Sequence, residues 1–181
     1  MSRLLFWAAG GLVLGGLIHL IVIITLPDAA TRGVWNRLSA IAPAETLVVI
    51  DDIGPNAPNP LGLDPELLYG VCRLELNDGP GIVSGPLPLA FWSVAVFNPS
   101  GHVIYSTTNR DGIGLNLDLG IFNAAQTRLL AQQQLDVAEG LLIVESPQNN
   151  VFALVRLAPP HPAMQARYAE ALSQLECGNI Q

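Results

Sequence analysis

The chain has 181 residues, and half of them are apolar, which is enough for one hydrophobic core and an additional segment. Its net charge is −7 and it contains no lysine, so the composition argues against a phosphate-binding surface. Nucleic acid is therefore not an expected partner.

The first element in chain order is an apolar segment from Leu4 to Leu26. It has no formal charge, and a helix over this range is about 35 Å long, enough to cross a lipid bilayer. The alternative is a secretory leader, for which the alanines after Asp28 form a mediocre cleavage site, but the segment is longer than the usual leader core. We predict a retained transmembrane anchor over residues 1–27.

The charges that flank the anchor give little information on its orientation. Arg3 precedes the span, and Arg32 and Arg37 follow it, so there is almost no positive-inside bias. A very short head followed by a large acidic domain is easier to export than to retain. We therefore predict a single-pass protein of the bacterial inner (cytoplasmic) membrane, with the bulk of the chain in the periplasm.

One stripe of the predicted span has the composition of a helix-association face. Trp7, Gly11, Gly15 and His19 are spaced four residues apart, so they lie on one side of a helix. Glycines let a second helix approach closely, and a histidine beside them can bond across the contact. The alternatives are the dispersed glycine content that is typical of spans, with His19 bonded to water or headgroups, and a His19 that ligates haem.

A second helical pattern follows the anchor. Val34, Trp35, Leu38 and Ile41 recur at helical spacing, which predicts a short amphipathic juxtamembrane helix within residues 28–45. Its position next to the span places Trp35 at the level of the lipid headgroups.

Short strands and turns dominate residues 46–181. The stretch "ETLVVID" is rich in β-branched residues and precedes a proline-rich irregular connection. "LYGVCRLEL" alternates two faces, with Cys72, Leu74 and Leu76 on one and Val71 and Arg73 on the other, and "NDGPG" ends it as a turn.

Two hairpins are predicted further along the chain. "FWSVAVF" and "HVIYSTT" flank the four-residue turn Asn98–Gly101, and Val103, Tyr105 and Thr107 are expected to face inward. "GLLIVESPQNNVFALVRL" is interpreted as a second hairpin.

The remaining segments complete a mainly β fold. "LNLDLGIF" alternates strictly, Asn123 and Gln126 form a capping-box pattern for a helix, and a docking helix begins at Pro162 and stops at Gly178. No βαβ alternation is evident. We predict an antiparallel β-sandwich or partial barrel with peripheral helices, preceded by the single transmembrane helix.

The two cysteines, Cys72 and Cys177, fit an oxidising compartment if they form a disulfide. The chain-entropy estimate for a loop of roughly 100 residues is about 4 to 5 kcal/mol. The alternative is two separate buried thiols.

Candidate ligand contacts occur at the end of the first hairpin. Asn109, Arg110 and Asp111 gather an amide, a planar cation and an anion at a strand end, and an arginine can bind a carboxylate through two bonds. The alternative is that these residues only build a turn.

Other reactive arrangements are not supported by their spacing. Ser106 and His102 are four residues apart on a strand, so their Cα atoms are separated by about 13 Å, too far for a catalytic dyad. The proline-rich loop contains four possible calcium ligands, Asp51, Asp52, Asn56 and Asn59, but they lack the regular spacing of a calcium loop. We predict no catalytic, metal or cofactor site.

Several stretches together resemble a known family. They are "YGVCRLELNDGP", "PLPLAFWSVAVFNPSGHVIYSTTNRD", "LLIVESP" and the ending with Cys177 after a short helix. With them the chain resembles the small membrane-anchored proteins catalogued as domain of unknown function 1254, from the anchor to that cysteine. The resemblance implies a β-rich exported domain. It transfers no role to Ser106, Asn109 or Arg110, because the family has no established activity.

The resemblance also implies a companion. Larger relatives join this domain to a second β-domain, catalogued as domain of unknown function 1214, so a separate anchored protein of that type is an expected partner. Our leading hypothesis is a single-span, envelope-exposed β-domain that acts as a non-catalytic accessory or structural subunit of a membrane protein assembly. The alternative is a periplasmic domain that binds or hydrolyses a small ligand through Arg110 and Asn109.

Overall fold

The computed structural model describes residues 2–50, 53, 59, 61–110, 116–133 and 140–180. Nine strands and two shorter helices follow a long N-terminal helix in this part of the chain. In chain order the elements are α1 (Ser2–Ile41), β1 (Leu47–Ile50), β2 (Leu68–Glu75), β3 (Gly81–Pro86), β4 (Phe91–Phe97), β5 (Val103–Thr108), β6 (Asn116–Asn123), α2 (Ala124–Gln133), β7 (Leu142–Ser146), β8 (Asn150–Ala158), a 3-10 turn (Pro162–Met164), α3 (Gln165–Ser173) and β9 (Glu176–Asn179).

The strands form two sheets that pack face to face. One sheet has five strands in the order β1-β2-β8-β4-β5, and all its pairs are antiparallel. The other has four strands in the order β7-β6-β3-β9. The mainly β sandwich with peripheral helices is therefore confirmed.

The core lies between the sheets because alternate residues of each strand point into it. The five-stranded sheet contributes Leu74, Val94 and Val155, and the four-stranded sheet contributes Val83 and Leu119, all of them fully buried. The alternation predicted for β2 is confirmed, since Cys72, Leu74 and Leu76 belong to this core and Val71 packs on the other face.

A disulfide between Cys72 and Cys177 joins the two sheets. Cys72 is on β2 in the five-stranded sheet, and Cys177 is on β9 in the four-stranded sheet, with their Cα atoms 5.9 Å apart. The predicted pairing is confirmed, and it links positions that are 105 residues apart in sequence.

The second predicted hairpin is wrong. β7 pairs with β6 in parallel, whereas β8 pairs with β2 and β4 in the other sheet. The capping box that starts α2 is confirmed by bonds between Asn123 and Gln126. α2 therefore connects two parallel strands, a single βαβ unit that the sequence analysis did not predict.

The first hairpin is confirmed, with one residue misplaced. Asn98 closes the turn, because its side-chain Oδ1 accepts from the backbone N–H of His102 at 2.9 Å. Thr107 is buried, but Val103 is 57% exposed. The pairing of β4 with β5 shifts between Val96 and Phe97, and such a bulge moves the residues beyond it to the opposite face.

The C-terminal helix ends earlier than predicted. α3 stops at Ser173, and the chain then forms the short strand β9 from Glu176 to Asn179. Gly178 is therefore part of a strand that pairs with β3, and Cys177 reaches its partner from this strand.

The last turns of α1 pack on the outer face of the five-stranded sheet. Leu38 and Ala42 are buried there against Val71 and Phe152. Trp35, predicted at the headgroup level, lies with its ring centroid 6.3 Å from that of Phe152. The helix is thus joined to the sandwich by a second apolar cluster.

Arg73 fixes the end of α1 on this face. Its Nη1 donates to the carbonyl oxygen of Ala42 at 2.9 Å, and its Cζ lies 4.6 Å from the ring centroid of Trp35. A cation at a helix C-terminus satisfies an otherwise unpaired carbonyl and interacts favourably with the helix dipole.

We expect Arg73→Met to lower the free energy of unfolding by about 1 to 2 kcal/mol, because it removes both contacts. Urea titration of the full chain in mild detergent measures this loss. Arg156→Met, on the neighbouring strand β8, is the matched control and should cost less than about 0.5 kcal/mol. Equal losses in the two variants would contradict the assignment.

Candidate functional site

The N-terminal part of α1 is long and apolar enough to span a membrane. This part is Arg3–Leu26, 24 residues long, and none of it is buried inside the protein. Pro27 does not end the helix, which continues to Ile41. The predicted span and the predicted juxtamembrane helix therefore form one continuous helix.

The predicted association stripe lies on this exposed helix. Trp7, Gly11, Gly15 and His19 are all exposed. A Cβ atom built on Gly11 or Gly15 meets no atom within 4 Å, so no other part of the described chain covers the two glycines. Within the described part of the chain, the stripe is open to a second helix.

The predicted ligand contacts at the end of β5 have different environments in the structure. Asn109 donates from its side-chain Nδ2 to the carbonyl oxygen of Ala90 at 3.1 Å, and its backbone N–H bonds to Trp92. Arg110 is exposed, and Asp111 lies outside the described residues. Asn109 therefore holds the segment that leads into β4. Arg110, in contrast, is open to solvent.

The other candidate groups are not brought together. Ser106 and His102 are both exposed along the outer hairpin. Asn59 bonds to the backbone of Leu63 through both its amide nitrogen and its oxygen. The other three possible calcium ligands, Asp51, Asp52 and Asn56, lie outside the described residues. Within the described part of the chain, no group of three or more His, Cys, Asp or Glu side chains is arranged to hold a metal ion.

A groove that the sequence analysis missed lies at the end of the sandwich where Asn109 sits. It has a volume of about 500 Å³ and runs between the segment that joins β3 to β4 and one side of α3. Among the residues that line it are Pro86, Leu87, Pro88 and Leu89 on one side and Arg167, Tyr168 and Gln174 on the other. We call it the β3–α3 groove.

One wall of the β3–α3 groove, the segment that joins β3 to β4, is held by two hydrogen bonds to backbone carbonyl oxygens. The N–H of Ala90 donates to the carbonyl oxygen of Pro88 at 2.7 Å, and Asn109 bonds to the carbonyl oxygen of Ala90. Two prolines restrict the backbone of this segment further. The predicted ligand residue Asn109 thus serves to position one wall of a groove.

No spacing signal could have revealed this groove. Its two walls come from residues 86–89 and 164–174, which are far apart in the sequence. In the sequence, Arg167 occupies a position where an amphipathic helix commonly has a charged surface residue. The one local signal was the alternation of proline and leucine in "PLPL", which indicates a stiff segment with apolar side chains.

The fold defines a class: a disulfide-linked β-sandwich that carries an N-terminal apolar helix. No family model matches the sequence, and no curated protein matches it. Among solved structures, the VPA0106 protein from Vibrio parahaemolyticus is similar, with a TM-score of 0.57 and 14% identity over 83% of this chain and 35% of that chain.

A second solved structure is more distant. A putative uncharacterized protein from Burkholderia cenocepacia has a TM-score of 0.42 and 12% identity, over 81% of this chain and 45% of that chain. The likeness to the Vibrio protein is one of fold alone. This chain spans about a third of the length of that protein.

Proposed function

We propose that the protein is a single-span envelope protein whose β-sandwich is a non-catalytic accessory or structural subunit of a membrane assembly. The observation that carries the proposal is the continuity of α1, which joins the apolar span to the sandwich without a break. Its first part is exposed along its length, and its last turns are packed on the sheet.

This helix would hold the sandwich close to the bilayer surface. The contacts with the sheet start at Val34, about 12 Å along the helix axis from Leu26 at 1.5 Å per residue. The headgroup layer occupies about 5 to 8 Å on each side of the hydrocarbon core. A sandwich held there, by a packed helix rather than a flexible linker, is suited to contact the extramembrane domain of a neighbouring protein.

The compartment and the family belong to the same proposal. The disulfide between the sheets supports an oxidising location, for which we propose the periplasmic face of the bacterial inner membrane. The family proposed is domain of unknown function 1254, on the stretches quoted above. The companion proposed is an anchored protein of the domain of unknown function 1214 type.

The test replaces the glycines of the association stripe. We expect Gly11→Ile combined with Gly15→Ile to reduce recovery of a crosslinked partner at least about fivefold, because larger side chains prevent close helix approach. The full-length tagged protein is crosslinked in native membranes, isolated and analysed by mass spectrometry. The substitution leaves the sandwich unchanged, since both positions have open space where a Cβ would lie.

Gly10→Ile combined with Gly16→Ile is the matched control. These glycines are equally open but lie on other sides of the helix, so the control should retain the partner. The proposal is overturned if native membranes yield no crosslinked partner, and the role of the stripe is overturned if both pairs of substitutions have the same effect.

A further inference from the structure

We propose that the β3–α3 groove binds the hydrocarbon chain of a free fatty acid and that Arg167 pairs with the carboxylate. This inference is independent of the proposed subunit role, because it concerns a site on the sandwich and requires no protein partner. The volume of the β3–α3 groove, about 500 Å³, lies within the range of small-molecule sites, about 300 to 1,000 Å³.

The floor of the groove is part of the rigid core. Leu87 and Tyr168 line the groove and are also members of the hydrophobic cluster between the sheets, with 3% and 6% exposure. Their positions are therefore fixed by packing before any ligand arrives. A pre-formed apolar floor avoids the entropic cost of ordering side chains upon binding.

The rim of the groove is apolar on one side and cationic on the other. Leu89 lies on the rim with 85% of its surface exposed, so its side chain offers apolar surface to a ligand in the groove. Arg167 is the one charged side chain among the groove-lining residues, and it has no ion-pair partner among the residues that the structure describes. A guanidinium binds a carboxylate through two parallel hydrogen bonds.

The balance of polar and apolar groups selects the ligand class. An apolar lining with one cation and the amide of Gln174 matches a ligand that has one chain and one negative charge. A bilayer phospholipid carries two chains and a larger headgroup. A peptide segment would bring a backbone whose N–H and C=O groups need several partners, and this lining offers few.

The test is photolabelling of the full-length protein in phosphatidylcholine nanodiscs. The probe is palmitic acid with a diazirine in its chain, and the labelled peptides are identified by mass spectrometry. We expect labelling of residues 86–89 and of α3. Palmityl alcohol with the same diazirine should label these peptides about fivefold less, because it lacks the charge that Arg167 binds.

Two variants and two matched controls locate the site. Arg167→Gln and Leu89→Asp should each reduce the labelling about fivefold, because the first removes the cation and the second adds a repelling carboxylate at an exposed position. Arg128→Gln and Leu129→Asp make the same changes at exposed positions of α2 and should leave the labelling unchanged. Thermal unfolding of each variant checks that the fold is retained.

Several results would overturn the proposal. Labelling confined to the apolar part of α1 would show that the acid only partitions into the bilayer. Equal labelling by the acid and the alcohol would remove the role of Arg167. If a diazirine phospholipid of the nanodisc labels the groove and the free acid does not, or if crosslinks show a second copy of the chain covering it, the occupant is not a fatty acid.

Discussion

Replacing Cys72 and Cys177 together with alanine is expected to lower the free energy of unfolding of the sandwich by about 4 to 5 kcal/mol. The disulfide closes a loop between positions 105 residues apart, so its loss returns a large conformational freedom to the unfolded chain. Urea titration of the full chain in mild detergent measures the change. Trp92 is a suitable reporter, because it is buried between the sheets.

A control separates the covalent link from the packing of the sulfur atoms. Cys72 is fully buried, so its replacement by alanine also leaves a small void, which contributes to the loss. Wild-type protein that is unfolded in the presence of a reductant loses the link and keeps both side chains. We expect it to be destabilised to within about 1 kcal/mol of the double variant.

The alternative outcome is equally clear. If the double variant and the reduced protein both unfold at nearly the urea concentration of the oxidised protein, then the cysteines do not form the link in the protein as it is made. The location proposed on the basis of an oxidising compartment would lose its support as well.

The local parts of the fold could be predicted because they depend on neighbouring residues. Alternation along β2 assigns Leu74 to one face and Arg73 to the other whatever the partner strands are. The capping box at Asn123 and the turn at Asn98 are likewise closed within a few residues. Both partners of each hydrogen bond lie within a few residues of one another, so the local sequence is sufficient to predict these features.

The partners of the strands could not be predicted from the same patterns. β7 and β8 have the lengths and the connecting turn of a hairpin, yet they belong to different sheets. Within the connection, Ser146 makes a local bond to the backbone of Gln148. A tertiary bond then ties the connection to the end of β2, because the N–H of Leu76 donates to the carbonyl oxygen of Asn149. The hydrophobic periodicity of the segment contains no information on that tertiary contact.

The candidate sites illustrate the same division. Asn109 was singled out for its polar neighbours, but its amide is used to hold the wall of the β3–α3 groove. Arg167 was not singled out, because a lone arginine on an amphipathic helix is ordinary in a sequence. Only the fold shows that Arg167 lies beside the apolar segment 86–89, with which it lines one groove.

We expect Phe152→Ala to destabilise the protein by about 3 to 5 kcal/mol and to release the end of α1 from the sandwich. Phe152 is 4% exposed, and its ring stacks on that of Phe97 with centroids 4.9 Å apart. It also faces Trp35 of α1, so the deletion opens a cavity between the helix and the sheet. Urea titration measures the first effect, and hydrogen exchange of the amides of residues 33–42 measures the second.

Phe122→Ala is the matched control for the local effect. Phe122 is 6% exposed and lies on β6 in the other sheet, away from the cluster that holds α1. Its removal should cost a similar free energy of unfolding, because the same side chain is deleted from a similarly buried position. It should leave the exchange of residues 33–42 unchanged. Equal exchange in the two variants would mean that the cluster does not hold the helix.

This pair of variants also tests how the sandwich would act in an assembly. If the packed helix holds the sandwich at a fixed height above the bilayer, Phe152→Ala should reduce the recovery of a crosslinked partner, whereas Phe122→Ala, of similar stability, should not. A partner that is retained by both variants but lost with the glycines of the span would depend on the membrane helix alone. The sandwich would then contribute contacts that do not require a rigid connection to α1.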